Sequence, residues 1–295
     1  MLEVEVAFNS DYARSAGNPE PYLRRMAAAG FSAVHWCHHW IGEHRYSQAE
    51  IGRIAAMLRR YGLRMIDLHG AVGLFSDWTS GNELRRRAGV GLIKNRIDMT
   101  AELGGNAVVL HLPEGRLRDK GLLKPVRKSL EEVETAAREA GVRIALENLP
   151  TPGHMEFVLE VIEEYPAEYL GLCYDSGHGN MAGNGLELLE TMLVEGGEKQ
   201  QDNTVTRLAA MHLHDNAGRR DLHVPPFEGN IDWERLTSIL AYAYRAGYTK
   251  PICLECSIRH SVYERNSSGE DEFLRNSLKA GQRLVKMMEA AGGPG

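Results

Sequence analysis

Short apolar segments alternate with longer amphipathic segments along almost the whole chain, and few architectures accommodate this alternation. Eight of the short segments have the character of buried strands, and a segment with helical periodicity follows each of them. The spacing of about 30–40 residues between them is typical of repeated β/α units. The predicted strands are 2–8, 31–36, 63–69, 106–112, 142–148, 170–175, 208–214 and 251–257. We therefore expect an α/β fold, a (β/α)8 TIM barrel.

The segments between the predicted strands support the barrel over an open sheet. The clearest predicted helices are 21–30, 47–62, 82–105, 124–141, 234–247 and 270–293, and many of them end at glycine. A doubly wound sheet shares the alternation, but its first strand normally leads into a Gly-rich phosphate-binding turn. Here that position reads FNSDYARSAG, without G-x-G-x-x-G. No linker or repeat divides the chain, so we expect one domain over residues 1–295.

Charge and composition exclude several classes of function. The net charge of -6 and the pI near 6.1 argue against a protein that binds nucleic acid mainly by electrostatics. No stretch approaches the roughly 18 apolar residues of a membrane span, and the N-terminus does not have the pattern of a secretory signal. Four cysteines in 295 residues do not make a disulfide framework. These observations predict a soluble cytoplasmic protein without a membrane partner.

The twelve histidines are distributed unevenly over this pattern of segments. Each lies at the carboxyl end of a predicted strand or in the loop that follows it, and none lies within a predicted helix. In a β/α barrel these positions form the face that carries active sites. Metal binding is the usual reason for imidazoles and carboxylates to converge. The distribution therefore predicts a metal site on this face.

The strand ends supply the sharpest candidates. They are His69, His111, Glu147, Asp175, His212 and Glu255. Two residues earlier, on the same face of each strand, stand Asp67, Val109, Ala145, Cys173, Ala210 and Cys253. All but Asp67 are small or apolar, as the interior layer of a barrel should be. A single carboxylate here could form a salt bridge or cap a helix. Glu147 and Glu255 follow apolar strands, where burial without a cation is costly, so we interpret this pair as metal ligands.

These residues lie in motifs that resemble the xylose isomerase-like TIM-barrel superfamily, which includes sugar isomerases, sugar epimerases and type-IV AP endonucleases. The motifs are ALENLP (145–150), GLCYDSGH (171–178), MHLHD (211–215), DLHVPPFEGNIDW (221–233) and CLECS (253–257). The resemblance covers nearly the whole chain in the same order. It implies a divalent-metal site of the mononuclear isomerases, holding Mn²⁺, Co²⁺, Mg²⁺ or Zn²⁺. Its four ligands would be Glu147, Asp175, His212 and Glu255.

The resemblance also implies an alternative, a trinuclear zinc phosphodiesterase similar to the AP endonucleases. Additional residues match the positions that complete a three-zinc site in those enzymes, namely His69, His111, His178, Asp221 and His223. In a structural interpretation, Asp221 and His223 would instead order their loop. The strand 6 motif DSGHGNMAG departs from the endonuclease pattern D-T-C-H, and the first strand lacks G-A-H-x-S. These departures favour the isomerases and epimerases.

For the favoured family the resemblance implies proton abstraction next to a carbonyl through a metal-stabilised enediolate. The substrate would be a sugar, a sugar phosphate or a polyol, and Glu147 and Glu255 would be the catalytic carboxylates. The residues expected to contact substrate are His178, His214, His69, Trp36 and Arg219. Trp40 and Trp78 could stack on a sugar ring in the same way. Rim packing for the three tryptophans and a solvated loop position for Arg219 remain alternatives. The sequence ENLPTPG lacks the N-R-Y/F-E pattern of ketose 3-epimerases, so no particular sugar is implied. A homo-oligomer and a non-catalytic binding barrel also remain open.

Overall fold

Eight parallel strands form one sheet in the computed structural model, which describes residues 4–114, 120–195 and 206–292. The strands are β1 (Val6–Asn9), β2 (Ala33–Trp36), β3 (Arg64–His69), β4 (Ala107–His111), β5 (Arg143–Glu147), β6 (Leu170–Asp175), β7 (Leu208–His212) and β8 (Ile252–Leu254). They follow the order β7-β6-β5-β4-β3-β2-β1-β8. A bridge joins Leu213 to Leu254, where the Leu213 amide donates to the Cys253 carbonyl at 2.8 Å. The two edge strands thus close the sheet into a barrel, and the predicted fold is confirmed.

Helices connect successive strands around the barrel. They are α1 (Glu20–Ala29), α2 (Gln48–Tyr61), α3 (Glu83–Glu102), α4 (Lys120–Glu139), α5 (His154–Glu163), α6 (Ser176–Ala182), α7 (Gly185–Glu190), α8 (Trp233–Arg245) and α9 (Ser267–Ala291). The final helix, α9, follows the last strand, β8. It packs between its two neighbours around the barrel, α1 and α8. Arg25 of α1 holds Asp271 of α9 at 2.6 Å. None of the helices that the structure describes is long and apolar enough to cross a membrane.

Three helices, α5, α6 and α7, were not among the predicted segments. As a result His154 and His178 lie within helices, although the sequence places no histidine in a predicted one. Helix α6 has only seven residues and begins where β6 ends, so His178 still lies at the carboxyl end of the barrel. Its start depends on Asp175, whose side chain accepts a hydrogen bond from the His178 amide at 2.6 Å.

The barrel interior is lined by small side chains, as the sequence predicts. Two buried clusters contain Ala7, Ala33, Ile66, Val109, Ala145, Cys173, Ala209, Ala210 and Cys253. Between β2 and β3 the register shifts at Val34 and His35, so that His35 pairs with Asp67. Such an irregularity re-aims side chains locally. Asp67, the exception in the predicted layer, is 1% exposed and lies inside the barrel with an ionic partner described below.

Candidate metal centre at the carboxyl end of the barrel

The side chains at the ends of six successive strands converge on one point. Glu147, the last residue of β5, is the centre of this arrangement. Its Oε2 lies 3.2 Å from Nε2 of His111 and 3.2 Å from Nδ1 of His212. Its Oε1 lies 3.3 Å from Nδ1 of His178. Parallel strands that end at the same face bring these groups together, although up to a hundred residues separate them in the chain.

The four residues expected to hold one metal ion form a single group. One ligand atom of each of Glu147, Asp175, His212 and Glu255 lies within 4.8 Å of the others. Nδ1 of His212 lies 3.2 Å from a carboxylate oxygen of Glu147 and 3.2 Å from one of Glu255. This nitrogen is buried and makes no hydrogen bond with either oxygen. A buried imidazole nitrogen placed between two carboxylates is a set of donors that can bind a divalent cation.

Two further groups adjoin the first. Glu147 also belongs to a group with His69 and His111, and His69 Nε2 lies 3.9 Å from Glu147 Oε2. The third group contains His178, His214, Asp221 and His223. Within it, Asp221 Oδ2 lies 3.0 Å from Nε2 of His223 and 3.3 Å from Nε2 of His178. All nine residues of the longer ligand set are therefore assembled at one face, together with His214.

His214 has a different position from the neighbouring His212. Its Nε2 lies 3.0 Å from the Asp175 carboxylate and 3.8 Å from Asp221. The ring stacks on His223 with 3.8 Å between centroids. His214 thus links the first group to the third, whereas His212 lies directly between Glu147 and Glu255.

The charges in the centre are strongly coupled. Burial alone would raise the pKa of the Glu147 carboxyl, but the imidazoles of His212 and His111 hold it well below its usual range. Burial would likewise raise the pKa of Glu255, and the His212 imidazole lowers it. Burial would lower the pKa of His223, but the carboxylates of Asp221 and Glu255 raise it to about 10. Without a cation, the ionised carboxylates thus favour protonation of the imidazoles. A metal ion would displace these protons when it binds.

A cavity of about 440 Å³ opens above the centre. Its polar floor includes His69, His111, Glu147, His178, Asp221, His223 and Glu255, and its walls include Trp40, Val72, Leu112, Leu149 and Pro150. The Trp40 ring lies 4.5 Å from that of His69. An apolar wall beside a few converging polar groups is typical of small-molecule sites, which span about 300–1,000 Å³.

Two residues expected to contact substrate lie elsewhere. Trp36 is 1% exposed and its indole donates to the Tyr46 hydroxyl at 2.9 Å, so it packs outside this cavity. Trp36 ends β2 and lines a separate cavity beside Ile54 and Met57 of α2, whereas Trp40 in the following loop lines the cavity above the metal centre. A contact between Trp36 and substrate stays a prediction that this cavity does not support. Arg219 is exposed in the loop after β7 and does not line the cavity. Its position fits the solvated alternative.

Several supporting residues escaped the sequence interpretation. The Asn148 side chain joins β5 to β6 through two hydrogen bonds with the Asp175 backbone, of 2.9 and 2.8 Å. Its own carbonyl lies 2.9 Å from Nδ1 of His178 and orients that ring. Asp215 is fully buried and accepts hydrogen bonds from the Trp233 indole at 2.7 Å and the Phe227 amide at 3.0 Å. Asp215 therefore orders the loop that carries Asp221 and His223. The motif MHLHD was the available signal, but it does not separate ligands from loop residues.

Comparison with known proteins places the chain among barrels of one kind. The family model described as "Xylose isomerase-like TIM barrel" matches residues 23–287. The protein y4fM of Sinorhizobium fredii is 28% identical over 296 residues, which cover 91% of this chain and 89% of that protein. Two solved structures share the fold over nearly the whole chain. One, a D-tagatose 3-epimerase-like protein, has a TM-score of 0.71 and 24% identity, covering 97% of this chain and 98% of its own.

The second solved structure is the IOLI protein with a bound zinc atom. It has a TM-score of 0.70 and 16% identity, covering 98% of this chain and 100% of its own. At these identities the two likenesses show a shared fold. The zinc atom belongs to that protein, while the converging donors described above belong to this one.

Proposed function

The chain belongs to the xylose isomerase-like TIM-barrel family, and from this premise we propose that it is a divalent-metal-dependent isomerase or epimerase of a sugar, sugar phosphate or polyol. The observation that supports this proposal most directly is the position of Glu147 and Glu255 at the floor of the cavity. Their carboxylates each lie 3.2 Å from Nδ1 of His212. Two ionised carboxylates on different strands can act on opposite sides of one carbon. The likeness to a D-tagatose 3-epimerase-like protein supports the same class of substrate.

The residues that would hold the metal ion are Glu147, Asp175, His212 and Glu255. Three oxygen donors and one imidazole suit Mn²⁺, Co²⁺, Mg²⁺ or Zn²⁺. When bound, the metal ion would supply Lewis-acid polarisation of the substrate carbonyl. Asn148 fixes the backbone of Asp175, and the amide of His178 holds the Asp175 carboxylate at 2.6 Å. These contacts limit the rotation of the ligand before any ion binds.

The proton transfers are assigned to the two glutamates. Glu255, whose side chain is 12% exposed, accepts the proton from the carbon next to the carbonyl, and the bonding electrons move onto the carbonyl oxygen. Glu147 takes up a proton from water before the transfer and returns it to the neighbouring or the same carbon, which gives isomerisation or epimerisation, and Glu255 afterwards releases its proton to water. His178 faces the cavity between Glu147 and Asp221 and positions a substrate hydroxyl. Trp40 covers the apolar face of the sugar and limits access of water.

This function is tested by proton exchange with solvent. The protein, loaded with Mn²⁺ or Co²⁺, is incubated in D₂O with a panel of keto- and aldo-sugars, and deuterium next to the carbonyl is followed by NMR. We expect Glu255→Gln to slow exchange on the accepted sugar by about 10²–10⁴-fold, since it removes the base. Bound metal is measured in the same samples, because Glu255 is also a ligand.

Glu114→Gln is the matched control, since Glu114 lines the same cavity at its exposed rim. It should exchange at the wild-type rate. Equal exchange rates in Glu255→Gln and wild type, with metal bound in both, would contradict the assignment. Absence of exchange with every sugar and metal would count against the proposed class of reaction.

A second candidate function is favoured by one specific observation. Three of the candidate ligand groups among the described residues are adjacent: two share Glu147, and the third, with His178, His214, Asp221 and His223, adjoins them. Metal ions a few ångströms apart can bind both the attacking and the leaving oxygen in phosphodiester hydrolysis. We therefore also consider a trinuclear zinc hydrolase. Plasma mass spectrometry on protein purified without chelator would separate the two: about one ion per chain favours the isomerase, and three zinc ions with cleavage of abasic DNA favour the hydrolase.

A further inference from the structure

A column of charged and polar side chains fills the barrel axis below the metal centre. Lys250, just before β8, places its Nζ 2.7 Å from Oδ2 of Asp67 and 3.0 Å from the Ala209 carbonyl. The other oxygen of Asp67 lies 2.7 Å from Nδ1 of His35 on β2. The side chains of His35 and Asp67 are 0% and 1% exposed, and that of Lys250 is 11% exposed. Barrel interiors are normally filled by apolar layers, so this column calls for an explanation.

The register shift between β2 and β3 is what creates the column. It aligns His35 with Asp67 and directs both side chains into the barrel. Lys250 enters from the amino end of the strands, opposite to the metal centre, and supplies the countercharge that a buried carboxylate needs. Lys250 therefore neutralises the charge of Asp67 through Oδ2, and Oδ1 of Asp67 can accept a hydrogen bond from His35.

The hydrogen bond to Asp67 determines which nitrogen of His35 carries a proton. An ionised carboxylate only accepts hydrogen bonds, so Nδ1 of His35 must donate. In the neutral ring Nε2 then carries a lone pair, and this atom is buried without a partner among the described residues. The ring lies 4.5 Å from the His212 ring, centroid to centroid. Nε2 of His212 is likewise buried without a partner.

The two Nε2 atoms are not hydrogen-bonded to each other in this structure, although their rings are in contact. We propose that His35 is a positioning residue for His212: when Nδ1 of His212 binds a metal ion, Nε2 of His35 accepts the Nε2–H of His212 and holds the ring in that orientation. The chain of contacts then runs from Lys250 through Asp67 and His35 to His212. Hydrogen bonds to the distal nitrogen of a metal-bound histidine fix its tautomer and ring orientation. This inference rests on the proposed metal site, because it assigns His35 a role toward a ligand of that site.

Two other arrangements are distinguishable from this one. One ligand atom of each of His35, His212 and Glu255 lies within 4.8 Å of the others, so His35 could bind the metal ion directly. The Cys173 thiol forms a further group with Glu147 and His212, whose ligand atoms lie within 4.8 Å of one another, and it interacts with the His212 ring, so it could hold that ring in place of His35. Each alternative predicts a different effect of substitution on metal affinity and on the metal's spectrum.

The experiment measures Co²⁺ affinity and visible absorption in three variants of the full chain. His35→Leu keeps the apolar volume but neither hydrogen bond. His35→Gln keeps both, since its amide can donate to Asp67 while its oxygen accepts from His212. Cys173→Ala removes the competing thiol. Affinities are obtained by competition with a chromophoric chelator, and thermal unfolding of the metal-free proteins shows whether each variant folds.

We expect His35→Leu to weaken Co²⁺ binding by about 10–100-fold, the usual effect of losing such a support. His35→Gln should remain within a few-fold of wild type. The absorption of bound Co²⁺, which reports its coordination geometry, should be unchanged in both variants because the direct ligands remain.

Three results would overturn the inference. Wild-type affinity in His35→Leu would show that His35 does not support the site. An altered Co²⁺ spectrum in His35→Leu would make His35 a direct ligand, and a loss confined to Cys173→Ala would transfer the role to the thiol. If the wild-type protein itself bound no Co²⁺, the metal site of the proposed function would fail along with this inference. Wild-type binding with an unaffected His35→Leu variant would refute the positioning role alone.

Discussion

The buried histidines divide into two classes by the sign of their pKa shifts. Burial would lower the pKa of His178 and His212, but the surrounding carboxylates raise both values well above the usual range. For His69, burial and the neighbouring His111 lower the pKa to about 3. Burial similarly lowers the pKa of His38 to about 4. His178 and His212 therefore favour the protonated form and would lose a proton on binding a metal ion. His69 and His38 favour the neutral form because they are buried.

His38 leads to a prediction about stability at acid pH. It is 2% exposed and neither ring nitrogen has a hydrogen-bond partner in the part of the chain that the structure describes, so protonation in the folded state is unfavourable. Its folded pKa of about 4 lies below the ordinary 6.5, so the unfolded chain binds more protons between these values. The contribution of His38 is therefore intact above pH 6.5 and is lost as pH falls toward 4. The shift corresponds to about 3 kcal/mol.

Urea unfolding of metal-free protein at pH 7 and pH 4.5 measures this contribution. His38→Gln should lose less free energy of unfolding than wild type over this interval, because glutamine does not titrate. Comparison of the two proteins cancels the other histidines. Parallel losses in variant and wild type would show that His38 does not titrate with a depressed pKa.

At the scale of elements, one residue at the junction of β6 and α6 has two roles: Asp175 caps the helix and is also a proposed metal ligand. Asp175 ends β6, caps α6 and contacts His214 at 3.0 Å. Close approach of α6 to the following strand requires a residue without a side chain at position 177, because a methyl group there would collide with the His214 imidazole. The short, Gly-rich sequence of α6 thus reflects tertiary packing, and helix propensity alone would not predict it.

Gly177→Ala should disturb this junction. The added methyl group must displace His214, so we expect a loss of about 1–3 kcal/mol in unfolding free energy, the usual cost of overpacking. Metal affinity should fall as well, because His214 supports Asp175. Gly52→Ala is the control: it lies on an exposed part of α2 with no atom near its added methyl group, and should be neutral or slightly stabilising. Urea denaturation and Co²⁺ titration of both variants test this, and similar behaviour of the two would contradict it.

At the scale of the whole molecule, the metal centre exists only when the barrel is closed. Its groups come from β3, β4, β5, β6, β7 and the residue after β8, and the closing bridge between Leu213 and Leu254 directly precedes His214 and Glu255. An unfolded chain cannot present this set at one point. Metal binding should consequently stabilise the folded barrel over the unfolded chain.

This coupling predicts that metal removal lowers the melting temperature. At a free metal concentration of 100 times Kd, binding contributes about 2.7 kcal/mol, which for a domain of this size is a shift of roughly 4 °C. Calorimetry after chelation and after addition of Mn²⁺, Co²⁺ or Zn²⁺ measures the shift, which should grow with metal concentration. Ca²⁺, which prefers more numerous oxygen ligands, should have a smaller effect. A melting temperature independent of all these ions would contradict a native metal site.

The alternation of segments and the chemistry of strand ends were readable from the sequence, because both depend on local order along the chain. Strand parity and the rule that parallel strands end at one face were enough to predict the barrel and six candidate residues at its strand ends. The choice of Glu147, Asp175, His212 and Glu255 as one ligand set came from the resemblance to the family, and the structure places these four close together. Contacts that depend on register were not readable. The shift between β2 and β3 turned Asp67 from an apparent exception into the partner of His35. Trp36 and Trp40 are both candidates from the sequence, and only the structure shows that Trp40 lines the cavity above the metal centre. Local sequence determined which groups reach the carboxyl face of the barrel. Tertiary packing decided which of these groups are in contact, because the register of each strand depends on its pairing with the other strands of the closed sheet.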